Sequence, residues 1–320
     1  MSLRRRAVYP LLLGLPLLLG CSSSRAIVFA SAPGRLTDTT TIDVFAIQPD
    51  GSRLRQLTHG QGQRRWSNFP VQSPDGRQIA FIVVPTNYPR GRTQIHIMDK
   101  NGVLDRVLVR FDSADASTPE WSPDGTRLLL TQYPDPNGPP GAIYTVKPDG
   151  SELTKVPFEP GSYGPPHWEP DGRSFLTSGK LERGRSVVLR VTIATGQANV
   201  VLTSDSLTLA LPQASPDGSA IVMQGVLQGP PLSAHVFVAN ADGTYLRRVT
   251  PDSGMQNFPR WAHDGRSIVM QCTSAGLNAA HAGLTQLEWM DTFEVCTVTR
   301  DGKRFRQVTH NSHVDVHPSW

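Results

Sequence analysis

The chain has 320 residues, 38% of them hydrophobic and 18% charged, with a formal net charge of +4 from 31 basic and 27 acidic residues. Three of the basic residues are Arg4, Arg5 and Arg6 at the N-terminus, which leaves 28 against 27 for the rest of the chain. A body so evenly balanced, with no basic stripe interleaved with aromatics, excludes the signature of a nucleic-acid binder.

In chain order, the arginines precede an apolar run of ten residues, Leu11 to Gly20. A spanning helix needs about 20 apolar residues, so residues 1–20 read as an export signal. Leu18-Leu19-Gly20-Cys21, followed by three serines, resembles the bacterial lipobox. That resemblance implies cleavage before Cys21, acylation of its thiol with palmitate-type chains, and a lipidated tether over 21–25. Each buried methylene of such chains contributes roughly 0.8 kcal/mol of membrane affinity. Ser22, rather than Asp, implies outer-membrane sorting with the protein facing the periplasm, or else the cell surface.

Beyond the tether, Arg25 to Ser31 reads as a strand, and a repeat of about 47 residues follows. One half of the repeat centres on Pro-x-Trp-Ser-Pro-Asp-Gly. Its copies start at Pro70, Pro119, Pro166, Pro212 and Pro259, with a shortened copy at Pro318 to Trp320. The tryptophan position holds Gln72 and Ala214 in two copies, and Ala262-His263 replaces Ser-Pro in another. The other half closes on turns at Asp50-Gly51, Asn101-Gly102, Asp149-Gly150, Thr195-Gly196, Asp242-Gly243 and Asp301-Gly302. Asp-Gly and Asn-Gly supply the positive φ that tight hairpins require. Runs such as Ile79 to Val84 and Ile143 to Val146 flank these turns as strands. Short final strands carry apolar residues three apart: Leu54 and Leu57, Leu246 and Val249, Phe305 and Val308.

Four short strands per unit and six units predict an all-β, six-bladed propeller of four-stranded antiparallel blades over residues 26–320. The last unit lacks the strand that Arg25 to Ser31 supplies, so the N-terminal strand is expected to pair within the last blade and close the ring. The repeats resemble the WD40-like repeats of the TolB propeller over about 25–320. TolB-type proteins carry an α/β domain ahead of the propeller, for which this chain is expected to have no room.

Within a blade, consecutive turns alternate between the two faces of the disc. The Ser-Pro-Asp-Gly and Asp-Gly turns share one face. The longer connections, over 85–93, 134–141, 179–185, 227–234 and 273–291, share the other, where partner binding is expected. The last of these carries Leu284, Leu287, Trp289 and Met290, candidate partner-binding residues if exposed, core if the loop folds back. Cys272 and Cys296 flank it, an even pair that suits a disulfide in an exported protein. Closing a loop of about 25 residues contributes on the order of 3 kcal/mol. His313, Asp315 and His317 stand at every second residue and would point one way on a strand, a weak metal-ligand pattern. The alternative is turn and hydrogen-bonding residues ahead of Pro-x-Trp. His167 and His317 flank the innermost prolines and are expected to face the central funnel.

The sequence contains no nucleophile elbow, zinc-protease motif or phosphate loop. The expectation is therefore a monomeric envelope lipoprotein, without cofactor and not an enzyme. It would bind an envelope protein or cell-wall component on its long-loop face and hold the membrane through its N-terminal lipid. The alternative is a metal-dependent enzyme like those polysaccharide lyases that resemble this propeller, with His167, His313 and His317 converging on one ion. A third reading, the propeller of a prolyl-type serine peptidase, requires a hydrolase domain.

Overall fold

Among the described residues, twenty-four strands form six separate four-stranded sheets. The structure is a computed structural model that describes residues 25–33, 40–60, 64–134, 141–158, 164–181, 184–227, 233–252, 254–273 and 293–320. Residues 1–24, with the expected signal and Cys21, lie outside the described residues. From the innermost strand outward, blade one is β24 (His313–Ser319), β1 (Ile27–Pro33), β2 (Asp43–Ile47) and β3 (Arg55–Gln56). Blade two is β4 (Arg64–Gln72), β5 (Gln78–Pro85), β6 (Gln94–Asp99) and β7 (Arg106–Val109). Blade three is β8 (Ala114–Trp121), β9 (Leu128–Pro134), β10 (Ala142–Val146) and β11 (Thr154–Lys155). Blade four is β12 (His167–Trp168), β13 (Ser174–Lys180), β14 (Ser186–Thr192) and β15 (Ala198–Ser204). Blade five is β16 (Leu207–Ala214), β17 (Ala220–Leu227), β18 (Ser233–Asn240) and β19 (Arg247–Arg248). Blade six is β20 (Gln256–Trp261), β21 (Ser267–Thr273), β22 (Phe293–Thr299) and β23 (Phe305–Gln307).

The inner strands contact one another in the cyclic order β24, β4, β8, β12, β16, β20, so blades three and six face each other across the axis. The ring closes as the sequence implies. β1 pairs antiparallel with β24, with Ser31 opposite Asp315 and Ala32 opposite Val314, and leaves no free inner edge.

The repeat residues explain why the blades form and stay together. In the first turn, Ser73 Oγ donates to Asp75 at 2.6 Å and accepts from the Gln78 N–H at 3.0 Å, while Asp75 takes the Arg77 N–H. Ser122 and Ser215 repeat the arrangement with Asp124 and Asp217. Gly102 in the second kind of turn has φ +86°, and a Cβ there would run into the Leu57 carbonyl of the preceding blade. The tryptophans tie blade to blade. The indole N–H of Trp121 donates to Val71 O at 3.2 Å, that of Trp168 to Glu120 O at 3.1 Å and that of Trp261 to Gln213 O at 3.1 Å. Trp320 instead reaches the Arg25 carbonyl at 3.0 Å and seals the closing blade. Gln72 replaces an indole without losing the bond, its amide donating to Ala26 O at 2.5 Å.

Two expectations need refinement. Of the paired apolar residues on the outer strands, Leu57, Val249 and Val308 are buried, but Leu54 and Phe305 are exposed. Leu246, by contrast, is partly buried against the cluster shared by blades four and five. Cys272 and Cys296 do form a disulfide, with Cα atoms 5.9 Å apart. The β21–β22 register sets Cys272 opposite Glu294 and Met270 opposite Cys296, so the bond joins a diagonal rather than a facing pair.

Candidate functional site

The central channel gathers the unusual backbone of the molecule. In five blades the residue before the inner-strand proline is left-handed: Phe69, Thr118, Leu211, Phe258 and His317 have φ between 49° and 53°. A residue before proline normally lies in the extended region, and a non-glycine residue in the left-handed region costs roughly 1–3 kcal/mol. Each sits where the inner strand bulges against its neighbour. Blade four supplies the exception that explains the rule. Pro165 occupies this position, proline cannot adopt positive φ, and β12 shrinks to two residues. Neighbouring blades support the bulges. Gln271 Oε1 accepts the His317 N–H at 3.0 Å, and Gln224 Oε1 accepts the Phe258 N–H at 3.4 Å.

The bulges turn these side chains inward, and three of them meet in the channel. The His317 ring stacks on Phe69 at 3.7 Å and meets Phe258 edge-on at 4.5 Å. His317 Nδ1 is 2.6 Å from Asn68 Oδ1. Burial, and then the Arg260 cation, push His317 down to about 3, so it is neutral.

Next toward the Ser-Pro-Asp-Gly turns, Arg260 of blade six bonds Glu120 of blade three across the channel. Burial alone would push the Glu120 carboxyl up. Arg260, and then His167, overcome it and hold that group at about 2. His167 Nδ1 lies 3.5 Å from Glu120. Burial, and then Arg260, lower the His167 pKa. Beyond the pair the channel opens to a mouth of about 280 Å³ among Trp121, Trp168, Trp261, Trp320 and the turn prolines.

The sequence-derived site residues do not converge. On β24, His313 and Asp315 share Ser31, which donates to Asp315 at 2.6 Å and lies 3.2 Å from His313 Nδ1. The left-handed turn at His317 breaks the strand alternation and swings that ring into the channel instead. Among the described residues no three His, Cys, Asp or Glu side chains are grouped as metal ligands would be, so the three-histidine arrangement of the alternative reading is not formed. Nor are Ser31, His313 and Asp315 wired as a nucleophile. The buried hydroxyl gives its proton to the carboxylate, and the imidazole does not lie between them. Leu284, Leu287, Trp289, Met290 and Cys21 lie outside the described residues. Sequence reasoning missed Glu120, Arg260 and Gln213, the side chains at the x of Pro-x-Trp. Strand alternation was the available signal, because a tryptophan packed between blades sends its preceding neighbour into the channel.

Comparison with solved structures places this architecture. TolB from Acinetobacter baumannii aligns with a TM-score of 0.69 at 16% identity, over 93% of this chain and 67% of that one. The fold is that of the TolB-type propeller. Oligogalacturonate lyase from Vibrio parahaemolyticus follows at a TM-score of 0.56 and 14% identity, over 89% of this chain and 80% of that one. A prolyl endopeptidase aligns at 0.50 and 14%, over 90% and 43%. In sequence, this chain is 30% identical to a TolB homologue of Chlorobium luteolum over 156 residues, 48% of this chain and 32% of that protein. It is 28% identical over 172 residues to dipeptidyl-peptidase 5 of Trichophyton tonsurans, 49% of this chain and 23% of that protein. Peptidase YuxL of Bacillus subtilis matches at 28% over 121 residues, 37% and 18%. The matches span less than a third of each relative's length, and no protein-family model matches.

These names overturn the expectation that the chain is not an enzyme. Its sequence relatives include named peptidases, and its structural neighbours a lyase and an endopeptidase. That expectation rested on missing catalytic motifs within one propeller. Such an absence does not bear on the chemistry in which a propeller takes part.

Proposed function

We propose that this chain is a lipid-anchored propeller of the cell envelope, held by acyl chains on Cys21 and taking a peptide or protein partner on its loop face. The observation that carries the reading is an arc of exposed apolar side chains. Tyr88, Tyr133, Leu181 and Leu227, at 44%, 39%, 38% and 39% exposure, edge that face in four consecutive blades. Apolar surface arrayed this way favours protein contact. The likeness to TolB and to a propeller of a nidogen–laminin complex supports protein binding in general. The peptidase names of the sequence relatives favour a peptide chain entering hydrolytic chemistry as the partner class. Leu284, Leu287, Trp289 and Met290 belong to the connection between β21 and β22 and are proposed as part of the same binding surface.

The test uses photo-cross-linking residues at Tyr133 on the loop face and at Arg266 on the turn face, in growing cells, with the mass of the N-terminal peptide read from the same sample. The reading expects an acylated Cys21 and a discrete adduct from Tyr133 alone, lost on adding Tyr88→Ala and Leu181→Ala. Adducts from Arg266 alone would sink the loop-face assignment, and an unmodified Cys21 would sink the anchor.

A further inference from the structure

The turn face carries three features that belong together. The first is the reach of the anchor. Arg25 is set into this face: its guanidinium bonds Pro74 O and His263 Nε2 and reaches Ser73 O at 3.4 Å. Only Ser22, Ser23 and Ser24 separate it from Cys21, so the four Cα–Cα steps span at most about 14 Å fully extended.

The second is a rim of apolar residues. Leu54, Leu104, Leu153, Tyr245 and Phe305 follow the Asp-Gly or Asn-Gly turns of five blades, at 49%, 78%, 42%, 83% and 38% exposure. The third is charge. An open depression of about 990 Å³ between blades five and six is lined by Arg247, Arg266, Lys303 and Arg304 against Asp264 and Asp301. Arg300 and Asp217, also in its wall, bond each other at 3.3 Å. Arg306 and Arg106 flank other turns of the same face, each bonded to a carbonyl of the neighbouring blade. The depression holds five cations against Asp217, Asp264 and Asp301, whereas Asp50, Asp75, Asp124, Asp149, Asp171 and Asp242 stand in the other turns of the face, so the basic excess belongs to the depression between blades five and six.

We infer that the turn face is the membrane-facing surface, laid on anionic phospholipid headgroups with its apolar rim at the interface. The inference rests on the proposed anchor at Cys21 and goes beyond it by fixing orientation. A tether that short cannot carry the acyl chains around the rim of the disc, so the face holding Arg25 is drawn to the bilayer. Cationic side chains near an anionic surface each contribute about 1 kcal/mol, and leucine, phenylalanine and tyrosine favour the interfacial layer. The loop face then points away from the membrane.

The test uses the full lipoprotein purified from its own membranes and reconstituted in phosphatidylethanolamine vesicles containing phosphatidylglycerol and a headgroup nitroxide. A fluorophore is placed at Lys303→Cys on the turn face or at Thr86→Cys on the loop face. The Lys303→Cys probe should be quenched severalfold more than the Thr86→Cys probe. Replacing phosphatidylglycerol by phosphatidylcholine should reduce that quenching by at least about half, and equal quenching in both lipids would overturn the electrostatic part. Equal quenching at the two positions, or the reverse order, overturns the orientation while an acylated N-terminal peptide leaves the anchor standing. An unacylated peptide removes the anchor, and with it this inference.

Discussion

Substituting Glu120→Gln tests the reasoning about the channel most directly, because it removes one end of a bridge between opposite blades. The wild-type side chains are 12% and 18% exposed. Gln keeps the shape but leaves the Arg260 cation without its counter-charge. Breaking a buried pair this way typically costs about 3–5 kcal/mol, and the mouth beside Arg260 lowers the expectation to about 2–3 kcal/mol. The pKa supports the same figure. A carboxyl held at about 2 instead of 4.5 corresponds to roughly 3 kcal/mol at neutral pH. The sign follows from the depressed value: the contribution is complete above 4.5 and is lost as pH falls through about 2. Urea unfolding at neutral pH should therefore separate wild type from Glu120→Gln, and the gap should close in acid. The double variant Glu120→Gln/Arg260→Met should recover most of the loss, since no unpaired charge remains. A cost below about 0.5 kcal/mol, additive single effects, or a gap independent of pH would refute the argument.

Four further outcomes follow from the packing. Reduction of Cys272–Cys296, which closes a 24-residue separation, should lower stability by about 3 kcal/mol, measured by unfolding with and without reductant. Burial raises the Glu294 carboxyl to about 7, against the Thr309 hydroxyl and with help from Asp315. The native state therefore holds its proton, and stability present below 4.5 should fall as pH rises through about 7. Melting temperature against pH should show this slope in wild type and flatten it in Glu294→Gln. Trp168→Phe deletes the indole bond to Glu120 O and should cost about 1–2 kcal/mol, read by the same unfolding. Gln72→Glu, which cannot donate to Ala26 O, should cost at least as much.

The repeat made the fold legible because each of its residues has one local job. Serine and aspartate cap a turn, glycine admits its positive φ, and tryptophan spans to the next blade, so spacing alone carried the architecture and its closure. The channel was less legible for two physical reasons. The left-handed residues before proline oppose the ordinary preference at that position, and nothing in Phe69, Leu211 or His317 as residue types signals the bulge. Glu120 and Arg260 occupy equivalent places in different units, and their pairing needs the ring order that sets blade three opposite blade six. The metal pattern at His313, Asp315 and His317 failed for the first of these reasons, because strict alternation ends at the bulge.

The channel contacts lie between the two faces. A ring stack of Phe69, His317 and Phe258 and the Arg260–Glu120 bridge lie in series along the axis. The turn face is built of short capped turns that leave little room for variation. The loop face is built of connections that can lengthen without disturbing a blade, as 273–291 does between β21 and β22. Partner choice can therefore change by loop substitution while the inner collar and the turns stay fixed. On the proposed orientation, Tyr88→Ala with Leu181→Ala should abolish partner cross-linking yet leave the quenching of the Lys303→Cys probe unchanged. If the loop-face substitutions moved that quenching, the two faces would be coupled through the disc, with these channel contacts as the connection.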